Sequence, residues 1–183
     1  MLDELRALIS LDRTKAENFF ADQLGRLDGD PVALFEFAKQ AAILGLHDAV
    51  HIVVKSYQDG KGTEPDRVRA FEWMRKAAVK DDDDSFFFDL ACCFRDGDGT
   101  ARDTGKFWYW MTKAAEAGDT EAMFQLAEAH LNPDMGEPSP ERADEWTGRM
   151  AEKNQPGALI QLARNNDEGE RVDRDPNLTV SQK

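Results

Sequence analysis

Three groups of residues have types and spacing suited to chemistry. His47 and His51 stand four apart in "LHDAVH", a separation that places two imidazoles on one helix face, as a metal ion would require. The residue after His47 is Asp48 rather than Glu, so the zinc-protease pattern is not completed, and the pair straddles a predicted turn. Cys92 and Cys93 are the only cysteines. A nucleophilic thiol needs a nearby activating base, and neither neighbourhood supplies a defined histidine. The third group is the acidic stretch "DDDDSFFFDLACCFRDGDGT", residues 81 to 100. As a calcium loop counted from Asp96 it puts Ala101 at the sharp-turn glycine and Phe107 at the bidentate glutamate. No phosphate-cradling glycine loop and no hydrolase serine elbow is present. The sequence therefore assigns no catalytic residue, no metal ligand and no cofactor.

The elements carrying these residues follow from patterning. Hydrophobic residues make up 41% of the 183 positions and charged residues 32%, enough for a buried core. The net charge of −13 is spread evenly along the chain. An acidic field opposes nucleic acid, whose phosphates need neutralising cations. A basic protein partner would be steered toward it, although plain solubility is the simpler account. No apolar stretch approaches the length of a membrane span, and the start, "MLDELRALISLDRTK", lacks the basic and apolar regions of an export signal. Adjacent cysteines cannot staple distant segments. These features lead us to expect a reduced, cytoplasmic setting without membrane contact.

Aligned with itself, the chain repeats. "AVHIVVKSYQDGKGTEPDRVRAFEWMRKAA" (49 to 78) matches "FFFDLACCFRDGDGTARDTGKFWYWMTKAA" (86 to 115) and "AMFQLAEAHLNPDMGEPSPERADEWTGRMA" (122 to 151). Trp73, Trp110 and Trp146 share one column; Ala78, Ala115 and Ala151 share another. A fourth copy begins at Ala158 and stops halfway, and "LFEFAKQAA" (34 to 42) matches the second half of a copy. Each copy carries two apolar stripes at helical spacing. The first runs Ala49, Val53, Tyr57, then Phe86, Leu90, Phe94, then Ala122, Leu126, His130. Between the halves, "DGKG" and "DGDG" supply glycines to end the first helix, and Asp66 and Asp103 stand where an N-cap should open the second. The acidic run is then the turn between hairpins, lengthened by one residue. Each copy is a helical hairpin too small to bury both faces alone, so neighbours must stack.

These columns resemble the Sel1-like repeats, relatives of the tetratricopeptide repeats. The first copy carries the pattern on Ala49, Tyr57, Gly60, Gly62, Asp66, Ala70, Trp73, Lys76, Ala77 and Ala78. The second carries it on Leu90, Phe94, Gly97, Gly99, Asp103, Trp110, Lys113, Ala114, Ala115, Gly118 and Asp119. The third keeps Ala122, Leu126, Ala143, Trp146 and Ala151 but replaces the glycine turn with "NPDMGEPSP". Val54, Ala91, Ala127 and Ala163 stand where the family has a glycine, and the cysteine pair that secreted members carry in each repeat is absent. The resemblance implies an all-α, right-handed superhelical solenoid of α/α hairpins. The expected organisation is capping helices at 1–33, a repeat array at 34–166 and a polar tail at 167–183.

Beside the packing stripe a second stripe runs two positions on. It reads His51, Lys55, Gln58; then Phe88, Cys92, Arg95; then Phe124, Glu128, Leu131; then Ile160, Arg164. By analogy with tetratricopeptide arrays this face lines the concave groove. Phe88, Phe124 and Ile160 would form its apolar spine, edged by charges of both signs. Phe88 and Phe124 read equally as packing against the neighbouring first helix. The resemblance thus implies a non-catalytic scaffold or adaptor that holds a protein or peptide in the groove. The alternative is an immunity protein that neutralises a cognate bacterial toxin.

Overall fold

The computed structural model describes residues 1–80, 83–131 and 139–153. They form α1 (Leu2–Leu11), α2 (Arg13–Leu27), α3 (Pro31–Ile43), α4 (His47–Asp59), α5 (Arg67–Lys80), α6 (Phe87–Asp96), α7 (Thr104–Ala117), α8 (Thr120–Leu131) and α9 (Pro140–Glu152). A short 3-10 turn, Asp84–Phe86, precedes α6. No strand occurs among the described residues. The chain divides into two compact units, 1–110 and 111–183, each described by itself.

In the first unit, glycine ends the first helix of a hairpin and aspartate starts the second. Gly60 closes α4 with φ 71° and Gly97 closes α6 with φ 76°, left-handed values that a Cβ would penalise. Six residues on, the Asp66 carboxylate accepts from Arg69 N at 2.9 Å, opening α5. The Asp103 carboxylate accepts from Lys106 N at 2.9 Å, opening α7. The loop between is pinned by matching backbone bonds, Asp66 N to Tyr57 O at 2.8 Å and Asp103 N to Phe94 O at 2.9 Å. Asp30 caps α3 through Ala33 N at 3.0 Å, so α3 starts at Pro31, upstream of the segment aligned in sequence. Each such cap stabilises its helix by about 1 kcal/mol.

The stripes of the first unit face inward. Ala49, Val53 and Tyr57 of α4 are buried, as are Phe86, Leu90 and Phe94. Val54 and Ala91, in the column where the family has glycine, are also buried. Full burial of one large apolar side chain is worth about 1.5–3 kcal/mol, so these columns supply the cohesion that one hairpin lacks. Successive hairpins meet through aromatic pairs set edge to face. Phe35 of α3 meets Tyr57 of α4 with centroids 5.2 Å apart, and Phe71 of α5 meets Phe94 of α6 at 5.4 Å. Trp110 is buried with its ring 5.4 Å from that of Phe87, whereas Trp73 is only half-buried.

In the second unit, α8 and α9 pack as a hairpin with Ala122, Met123, Leu126, Ala143, Trp146 and Met150 buried. Asp119 caps α8 through Ala122 N at 2.8 Å. Lys153 Nζ donates to Gly118 O at 2.9 Å, tying the end of α9 to the turn before α8.

Candidate functional site

The second stripe holds residues that the packing stripe leaves uncovered. On α4, His51 and Lys55 are exposed and Gln58 is half-exposed; on α6, Phe88 and Cys92 are half-exposed and Arg95 is exposed. Lys55 forms no ion pair among the described residues. Arg95 is held in a two-point contact with its neighbour, Nε to Asp96 Oδ1 at 2.9 Å and Nη2 to Oδ2 at 3.0 Å. That hydrogen-bonded contact raises the Arg95 pKa and lowers that of Asp96. In the second unit, Phe124, Glu128 and Leu131 of α8 are all half-exposed. Ile160 and Arg164 lie outside the described residues.

The two histidines do not straddle a turn: α4 begins at His47 and carries both. Contacts across about 35 residues of sequence give them polar partners. His51 Nε2 lies 3.0 Å from Ser85 Oγ, which also hydrogen-bonds the Asp83 carboxylate; His47 Nδ1 lies 3.5 Å from Asp83 Oδ2. An ionised carboxylate only accepts, so Ser85 donates to Asp83 and its oxygen accepts from the N–H of His51. That order is the reverse of a nucleophile with its base, in which imidazole takes the hydroxyl proton. The His51 ring also lies against Phe86, centroids 4.3 Å apart. The cluster fastens the 3-10 turn to α4.

Cys93 is buried, and that burial, reinforced by the charges of Asp98 and Asp89, pushes its thiol up to about 12. Such a thiol is protonated at neutral pH and a poor nucleophile. In the acidic turn, Asp98 pairs with Arg67 at 2.8 Å and Asp96 with Arg95. Among the described residues no three His, Cys, Asp or Glu side chains gather as a metal ion would need.

One column escaped sequence reasoning. The Arg69 guanidinium stands over the Tyr57 ring, 5.8 Å from its centroid, and pairs with Asp66 at 3.3 Å. Lys106 stands over Phe94 at 5.2 Å and pairs with Asp103 at 3.0 Å. In the second unit the same places hold His130, Arg142 and Ser139, and Ser139 N still donates to His130 O at 2.9 Å. There the aspartate is missing and an imidazole replaces the ring. Burial, and then the charge of Arg142, hold the His130 pKa below its ordinary value. The regular 36- or 37-residue spacing of these basic residues was the signal that would have found the column.

Comparison with known proteins fits this geometry. The Sel1 repeat family matches at residues 55–82, 88–119 and 120–155, together more than half of the chain. The chain belongs to the Sel1 repeat family. Among solved structures, a protective antigen of uropathogenic Escherichia coli displaying an SLR fold is similar with a TM-score of 0.71 at 24% identity. That alignment covers 92% of this chain and 36% of the antigen. A Sel1 repeat protein from Oxalobacter formigenes is similar with a TM-score of 0.60 at 22% identity, covering 81% of this chain and 60% of the other. The chain thus spans less than two thirds of either structure, and the likeness establishes an all-α solenoid of Sel1 repeats. No curated protein matches the sequence. Sel1 repeats generally mediate protein–protein interaction. No described helix is long and apolar enough to cross a membrane.

Proposed function

We propose that this Sel1 repeat chain is a non-catalytic scaffold or adaptor that holds a protein or peptide partner through the uncovered stripe of its first-type helices, α4 and α6 in the first unit and α8 in the second. One contrast carries the reading. Of the nine packing-stripe residues on these helices and the turn before α6, eight are buried, while none of the nine described residues of the neighbouring stripe is. That second stripe carries the half-exposed ring of Phe88 with Lys55 and Arg95 in the first unit, and the half-exposed ring of Phe124 with Glu128 in the second. Aromatic anchors edged by charge are the composition of protein-binding surfaces.

The test is quantitative affinity purification from the native cell with the unaltered chain and with Lys55→Glu plus Glu128→Lys. The double variant must keep the unaltered melting temperature, since surface charge reversals rarely disturb folding. A partner captured by the native chain and depleted about tenfold by the reversals supports the reading. Capture of every partner to the same extent by both rejects it.

A further inference from the structure

A second surface lies on the opposite class of helix, within residues 71–110. The second-type helices α5 and α7 border an open cleft of about 460 Å³. Its floor is apolar: Phe71, Phe94 and Trp110 are each at least nine-tenths buried. Its rim is not covered. Tyr109 is 54% exposed although its ring meets Trp110 edge-on at 5.1 Å, and Val79, also lining the cleft, is 63% exposed.

The charge at this cleft runs against the charge of the chain. No acidic residue lines it, while Arg75 and Lys106 do, in a protein with a net charge of −13. Lys106 is anchored to Asp103. Arg75 is exposed and forms no ion pair among the described residues. Long-range repulsion between the acidic chain and an acidic partner decays over about 8 Å at physiological ionic strength, so at contact the local cations decide.

We infer that the α5–α7 cleft docks an acidic peptide segment of a partner protein, which inserts one aromatic side chain over Phe71, Phe94 and Trp110 and sets a carboxylate on Arg75. The ring would gain apolar burial and edge contacts, and guanidinium–carboxylate pairing would fix its register. This surface is separate from the α4 and α6 face and does not depend on it.

Fluorescence anisotropy of the full chain at physiological salt tests the assignment. The probe is a fluorescein-labelled heptapeptide with one phenylalanine between two triplets of glutamate. We expect saturable binding, weakened at least ~10-fold, or about 1.4 kcal/mol, by Arg75→Glu and by Tyr109→Ala. Both positions are exposed, so circular dichroism should show the native helix content in each variant. Lys55→Glu on α4 should leave the affinity unchanged, and a peptide with lysines for glutamates should bind at least ~10-fold more weakly. Absence of saturation at millimolar peptide, equal binding of the lysine peptide, or an affinity moved by Lys55→Glu but not Arg75→Glu overturns the proposal.

Discussion

Gly99 backs onto the carbonyl of Arg67, in the first turn of the preceding second-type helix. A Cβ at Gly99 would overlap that oxygen and stand 2.9 Å from Phe71 Cβ. Gly62 has the same relation to Pro31 and Phe35 of α3. The first glycine of each "GxG" turn thus reverses the chain, and the second lets one hairpin approach the last.

Gly99→Ala should cost about 2–4 kcal/mol, combining a positive φ of 69° with a backbone overlap that no rotamer relieves. Gly148, inside α9 with nothing within 4 Å of its Cβ position, is the contrast. Gly148→Ala should stabilise by about 0.5–1 kcal/mol through helix propensity. Urea denaturation of both variants reads the difference.

Asp66→Ala should lower stability by about 1 kcal/mol through the lost cap on α5. Asp66→Asn keeps an acceptor for Arg69 N and should recover most of it. Thermal melts of the three proteins separate the cap from the exposed ion pair with Arg69, a contact worth little by itself.

His130 makes the second unit sensitive to acid. Its folded pKa lies below the ordinary 6.5, so as pH falls through that value the unfolded chain takes the proton first and stability declines. His130→Phe, which restores the ring present at Phe94, should flatten this part of the pH dependence. The measurement is the difference in melting temperature between variant and native protein at about pH 7.5 and about pH 5.5.

Cys93 behaves oppositely, as a group whose folded pKa is raised. Its contribution is intact below about pH 9, the ordinary value, and is lost as pH rises toward about 12 while the unfolded thiol ionises. Cys93→Ala should remove that alkaline loss. In the native protein, iodoacetamide at pH near 8 should leave Cys93 largely unmodified until urea is added, which peptide mass spectrometry resolves.

The hairpins were legible because their signals are local. Gly60 and Gly97 announce helix ends, Asp66 and Asp103 announce starts, and aligned apolar columns announce a shared core. The approach of Gly62 and Gly99 to the preceding hairpin was not legible, since a missing side chain says nothing about what stands opposite. Nor was the joining of His47 and His51 to Asp83 and Ser85, because the partners lie far along the chain and sit in a turn with no periodicity. The α5–α7 cleft escaped for a related reason. Arg75 and Tyr109 lie far apart in sequence, one in a basic segment and the other in an aromatic run, and only the folded chain brings both to one apolar cleft.

The edge-to-face pairs Phe35–Tyr57 and Phe71–Phe94 recur one repeat apart. The α4–α5 module therefore offers α6 the same socket that it plugs into on α3. A duplicated block of that length would be received at both ends by existing joints, so arrays of this kind lengthen by copying without any new joint having to be invented.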